Sequence, residues 1–135
     1  MFKSKEYKYF KRKLQSVKYA ILDQEFKRFK TLEIREEIRQ NYDNIKAQIP
    51  VIQEKYEKAK EKNELPKGDI ERIKDEQTKL EAERDRLELQ IAGLDREVYG
   101  AKPTAEEPNG FDGIEQTLES LRELAEMVKD YMKKL

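Results

Sequence analysis

The chain has 135 residues, which leaves room for one domain and little more. Hydrophobic residues make up 36% of it and charged residues 43%, against about 45–50% and about 25% in typical globular domains. This composition excludes a thick core, whereas a narrow seam between long helices needs only about two buried positions in seven. Histidine and cysteine are both absent, which excludes disulfides, the usual zinc sites, and Ser-His or Cys-His catalysis.

The charge balances overall but is unevenly distributed along the chain. Residues 1–30 contain ten Lys or Arg and three Asp or Glu, a net charge of +7, so the remainder carries −7. A basic front and an acidic rear favour either an anionic partner or head-to-tail self-association. No apolar run has the length of a membrane span or a signal-peptide core. We therefore expect a soluble, cytoplasmic protein without membrane contact, and the pattern is also compatible with a virion component.

The first predicted element is one very long helix, with Ser4 as its cap and Glu6 in its first turn. Pro50 is expected to kink this helix rather than end it. Apolar residues at alternating spacings of three and four predict a coiled-coil seam. The seam residues are Tyr7, Phe10, Leu14, Val17 and Ile21, then Ile38, Tyr42, Ile45, Ile49, Ile52, Tyr56 and Ala59. Between the two groups the same positions are polar: Gln24, Arg28, Thr31 and Arg35.

A second apolar stripe lies about 150° around the same helix. It consists of Tyr19, Leu22, Phe26 and Phe29, and is called the aromatic stripe below. Aromatic and arginine enrichment is typical of interface cores, so these four residues are candidate anchors for another protein.

Basic residues accompany the aromatics in this front segment. The candidate anionic-surface residues, called the basic group below, are Lys5, Lys8, Lys11, Arg12, Lys13 and Lys18. The segment has three interpretations: a solvated basic face above a buried seam, a docking surface for another protein, or a contact with nucleic acid. A charge of +7 over thirty residues suffices for salt-dependent binding to nucleic acid without base recognition.

A turn over residues 61–69 is predicted by Pro66 and Gly68, and Asp69 is expected to cap the next helix. The repeat then resumes on Ile70, Ile73, Gln77, Leu80, Arg84, Leu87, Ile91, Leu94 and Val98. The short turn aligns the two seams antiparallel. We interpret Gln77 and Arg84 as polar seam residues that set register; the competing interpretation is that they receive a carboxylate from a partner helix.

Residues 100–113 form a predicted linker containing three glycines and two prolines. Asp112 is expected to cap a last amphipathic helix over 114–135. Its coiled-coil positions are Ile114, Leu118, Leu121, Ala125, Val128, Met132 and Leu135, with Leu124 and Tyr131 widening the stripe. The N-terminal half of helix 1 is its expected partner, in the same chain or in a second copy.

Catalytic chemistry is not indicated. The five glycines form no phosphate-binding loop or dinucleotide fingerprint. The stretch Glu36-Glu37-Ile38-Arg39-Gln40 partly resembles the Glu-Glu-x-x-Glu segment of helical nucleotide pyrophosphohydrolases. It lacks the last acid, and no later Glu-x-x-Asp follows, so we interpret Glu33, Glu36 and Glu37 as a solvated helix face. We expect no enzyme activity, no catalytic, cofactor-binding or metal-binding residue, no cofactor and no small-molecule substrate.

The sequence therefore predicts an all-α fold: a long antiparallel coiled-coil hairpin over residues 1–99, with a C-terminal helix packed on the N-terminal half of helix 1. Together these form a single domain. The predicted function is that of a structural or adaptor subunit that assembles with other proteins and with itself, as a dimer or larger oligomer. The alternative is a nucleic-acid-binding accessory protein that uses the basic, aromatic N-terminal helix.

Overall fold

A computed structural model describes residues 4–63 and 65–135. They form three α-helices: α1 spans Lys5–Lys62, α2 spans Lys67–Tyr99 and α3 spans Ile114–Lys133. The predicted fold class is confirmed, because the described residues are helical apart from short connections and one isolated β-bridge. α1 and α2 form the long hairpin, and α3 packs on the N-terminal half of α1.

The ends of α1 are set by two local hydrogen bonds. The Ser4 hydroxyl accepts a hydrogen bond from the Tyr7 backbone N–H at 3.0 Å, which confirms the predicted cap. At the other end, Asn63 has a φ of +53° and donates its N–H to the Ala59 carbonyl at 3.0 Å. Asparagine tolerates this left-handed conformation, and it ends the helix. The helix continues through Pro50; the kink there stays a prediction.

The starts of α2 and α3 differ from the predicted caps. The Pro66 carbonyl accepts hydrogen bonds from Asp69 and Ile70 N–H at 2.9 and 3.2 Å, so α2 begins at Lys67 and Asp69 lies inside its first turn. The cap of α3 is Gly113 rather than Asp112. Both cap predictions were wrong. The Pro66 carbonyl determines where α2 begins, and the close approach of the Gly113 backbone to neighbouring backbone determines where α3 begins.

The described chain divides into two compact units. The first contains the described residues up to Glu33 together with Leu94–Leu135, and the second is Ile34–Gly93. The prediction of a single domain stays a prediction.

The second unit is the hairpin part, and its core is the predicted seam. Ile49 on α1 and Ile73, Gln77, Leu87 and Ile91 on α2 are buried. The Lys74 ammonium lies 5.0 Å from the centre of the Tyr56 ring, which agrees with the predicted alignment of Tyr56 with Ile73. All the other predicted seam residues of this unit are half-buried. The 3.5-residue repeat therefore identified the buried face correctly.

The first unit is built around a small core of Val98, Ile114 and Leu118, with Ile21 and Leu32 packed against it. The predicted linker is folded back on itself. Ala101 and Phe111 form an isolated antiparallel bridge with two hydrogen bonds of 2.8 and 2.9 Å. This bridge brings the end of α2 close to the start of α3.

Candidate protein-interaction surface

The aromatic stripe is exposed along its whole length. The exposed fractions are 60% for Tyr19, 58% for Leu22 and 63% for both Phe26 and Phe29. Large apolar side chains at this exposure, repeated over three helical turns of one face, form a contiguous patch of the kind that marks an interaction site. The Lys30 ammonium lies 5.6 Å from the centre of the Phe26 ring.

The stripe is uncovered because α3 binds the other side of α1. The Phe10 and Tyr131 rings meet edge to face, with centroids 4.9 Å apart. Arg122 bonds to Glu25 at 3.2 Å, and Arg28 pairs with Glu115. Phe10 and Arg28 both belong to the seam positions of α1. The C-terminal helix thus uses the seam face and leaves the aromatic stripe to solvent.

Oppositely charged residues flank the stripe at its own heptad spacing. On the N-terminal side the same helical positions carry Lys5, Lys8, Arg12 and Gln15, and on the C-terminal side they carry Glu33, Glu36, Gln40 and Asp43. All eight residues are exposed. Within the first unit, the basic side chains of Lys5, Lys8 and Arg12 precede the aromatic stripe and the acidic side chain of Glu33 follows it.

Each member of the basic group is exposed, but the six residues do not share one face. Lys8 and Arg12 continue the aromatic stripe, whereas Lys13 points elsewhere, and its ammonium lies 5.4 Å from the centre of the Tyr9 ring. Lys5, Lys8 and Arg12 line one open cavity together with Glu6 and Tyr9, whereas Lys11, Lys13 and Lys18 lie outside it.

The two candidate register-setting residues lie in the hairpin seam. Gln77 is 5% exposed; its Nε2 donates to Glu81 Oε1 at 3.1 Å, and its Oε1 is buried without a partner among the described residues. Arg84 is half-buried and bonds to Asp85 Oδ1 at 3.1 Å. Both are placed where the repeat predicted; their effect on register stays a prediction.

The resolved pKa shifts belong to surface pairs. A hydrogen bond from Arg86 lowers the pKa of Glu83, one from Lys58 lowers the pKa of Glu54, and the hydrogen bond to Glu6 raises the pKa of Tyr131. Within the described ranges, no group of three or more acidic side chains is arranged to hold a metal ion. None of the helices described has a stretch long and apolar enough for a membrane crossing.

Comparison with protein-family models, curated proteins and solved structures gave no match. The functional conclusion therefore depends on the residues of this chain.

Some contacts that position the surface were not predicted from the sequence. The pairs Arg28–Glu115, Arg122–Glu25 and Tyr131–Glu6 hold α3 against α1. A signal for the first pair was present, because Arg28 places a cation at a seam position, where an acidic residue on the covering helix can pair with it.

Proposed function

We propose that this chain is a non-enzymatic structural or adaptor subunit that joins protein chains through its helices. The observation that supports the proposal is the exposed aromatic stripe on α1, which α3 leaves uncovered. Burial of a Phe or Leu side chain contributes about 1.5–3 kcal/mol, so a stripe of four favours association with another apolar face.

The experiment is a pull-down from the native source at low salt, divided into nuclease-treated and untreated halves. The bait is compared with a Phe26→Gln, Phe29→Gln variant, which is expected to fold because both side chains are exposed. We expect protein partners to survive nuclease and to be lost, by at least tenfold, with the variant. Circular dichroism of the purified variant checks that its helix content is unchanged.

A second candidate function is nucleic-acid binding by the basic group, and the exposure of all six side chains supports it. The same experiment includes a Lys5→Glu, Lys8→Glu, Arg12→Glu, Lys13→Glu variant. Binding that is lost with nuclease, that falls steeply between low and moderate salt, and that depends on these cations rather than on Phe26 and Phe29 would replace the first proposal with the second.

A further inference from the structure

The connection between α2 and α3 contains an asparagine followed by a glycine. Pro108 and Asn109 form a turn there, and Asn109 is exposed. We propose that Asn109 is a site of spontaneous deamidation in the folded protein, and that its isoaspartate product loosens the junction between α2 and α3. This site lies outside the surface on which the proposed function rests.

The reaction uses the side-chain amide of Asn109 and the backbone nitrogen of Gly110. The Gly110 nitrogen gives up its proton to water and attacks Cγ of Asn109. A new C–N bond forms, the bond from Cγ to the amide nitrogen breaks, and that nitrogen leaves as ammonia. Water then opens the cyclic imide. Cleavage of the new bond gives aspartate, whereas cleavage of the original peptide bond gives isoaspartate, whose backbone runs through Cγ. Water is the only co-reactant.

The position of Asn109 favours ring closure more than the positions of Asn41 and Asn44. Gly110 has no Cβ to obstruct the approach of its nitrogen, and it is the only glycine that follows an asparagine in this chain. Asn41 and Asn44 lie inside α1, where the carbonyl one turn earlier holds the next N–H, and a bulky residue follows each of them. These two asparagines therefore serve as internal references.

One local hydrogen bond protects the attacking nitrogen. Gly110 donates its N–H to the Glu107 carbonyl at 3.0 Å, and the same carbonyl accepts a hydrogen bond from the Thr104 N–H at 2.9 Å. Because this turn lies at the surface between two helices, it opens without unfolding either of them. Such local opening costs much less free energy than global unfolding. The reaction therefore proceeds from the opened turn of an otherwise folded chain.

The isoaspartate product does not fit the turn. Gly110 has a φ of +68°, and a Cβ added to it would lie 2.6 Å from the Ala101 carbonyl oxygen, so the backbone has no spare room here. Isoaspartate inserts an extra methylene before Gly110 and displaces its N–H from Glu107. Phe111, the next residue, makes both hydrogen bonds of the bridge to Ala101. The displacement thus reaches the bridge that brings the end of α2 to the start of α3.

The test is ageing of the purified chain in mildly alkaline buffer, with and without urea, followed by peptide mass spectrometry. We expect the peptide with Asn109 to gain the mass difference between an amide and a carboxylic acid at least ten times faster than the peptide with Asn41 and Asn44. A protein-isoaspartate methyltransferase identifies the isoaspartate fraction. Equal rates in the two peptides, or a mass gain that occurs only in urea, would overturn the inference.

Asn109→Gln is the matched control for the ageing experiment. It keeps a side-chain amide, but closure of the larger ring is much slower, so the mass gain should disappear. The variant also leaves Asp112 and Gly113 unchanged, so isoaspartate that forms at Asp112 is measured separately.

Hydrogen exchange tests the consequence for the junction. We expect the amides of residues 100–113 to exchange at least ten times faster in the isoaspartate fraction than in unaged protein. Freshly prepared Asn109→Asp adds the same charge with an ordinary backbone, and its exchange should be unchanged. If the isoaspartate fraction exchanges like unaged protein, or if Asn109→Asp reproduces the increase, the rearranged backbone does not loosen the junction and the inference is overturned.

Discussion

Gln77 is a buried polar residue of the hairpin seam whose hydrogen-bonding capacity is only partly used. It is 5% exposed, and its amide oxygen has no hydrogen-bond partner among the described residues. A buried acceptor without a partner costs about 1–3 kcal/mol. Polar residues at seam positions nevertheless persist in coiled coils because they disfavour competing registers and partners.

We therefore predict that Gln77→Leu raises the free energy of unfolding by about 1–3 kcal/mol, since it removes the unsatisfied oxygen and adds apolar burial. Chemical denaturation measures this change. Gln90→Leu is the matched control, because Gln90 lies on the same helix and is exposed; its effect should stay within about 0.5 kcal/mol. A loss of stability in Gln77→Leu would contradict a net cost of the unpaired amide oxygen.

At the scale of elements, the junction between α2 and α3 depends on close backbone contact. A Cβ added to Gly113 would lie 2.4 Å from the Gly100 nitrogen and 2.7 Å from the Val98 carbonyl oxygen. The Gly113 N–H donates to Gln116 Oε1 at 2.8 Å, and the Gln116 amide donates to the Tyr99 carbonyl at 2.8 Å. One glycine thus allows α3 to begin directly against the end of α2.

Gly113→Ala should destabilise the protein by about 1–3 kcal/mol, because the new methyl group has to displace backbone atoms. Gly93→Ala provides the control: a Cβ there meets nothing within 4 Å, and the position is inside α2, so the change should stabilise the helix by about 0.5–1 kcal/mol. Opposite signs in thermal unfolding are the expected result. Equal effects would contradict the close approach at Gly113.

At the scale of the whole molecule, each compact unit has its own buried apolar residues. Leu118 is 2% exposed in the first unit and Leu87 is 4% exposed in the second. Truncation of a buried leucine to alanine costs about 2–5 kcal/mol. If the two units open independently, each truncation will raise the hydrogen-exchange rate of the amides in its own unit.

We predict that Leu118→Ala accelerates hydrogen exchange first in residues 94–133, and that Leu87→Ala accelerates it first in residues 67–93. Exchange followed by mass spectrometry of peptides resolves the two regions. Identical acceleration across all peptides in both variants would indicate one cooperative unit instead.

Much of the fold could be predicted from sequence because it depends on local periodicity. The spacing of three and four identified the seam from Tyr7 to Val98, including polar members such as Gln77. The ends of α2 and α3 could not be predicted, since they depend on the Pro66 carbonyl and on the approach of Gly113 to Gly100. Neither contact has a side-chain signature.

Local periodicity also leaves the surroundings of the aromatic stripe unpredicted. Its four residues could be placed on one face from the sequence alone. Whether α3 would cover them could not be predicted, because seams match in steps of seven and the broad apolar face of α3 suits either side of α1. Ile21 and Leu32 of α1 pack against the core that contains Ile114 and Leu118, and Arg28 pairs with Glu115, so tertiary contacts place α3 on the seam face.

The hydrogen bond between Glu6 and Tyr131 joins residues 125 positions apart. During translation at about 5–20 residues per second, the first turns of α1 would wait roughly 6–25 s for this partner to be synthesised. The hairpin contacts are far more local and can form earlier. For that interval the apolar seam face from Tyr7 to Ile21 lacks α3, so the nascent chain is most exposed to chaperones and to misassociation through this face before its last helix is made.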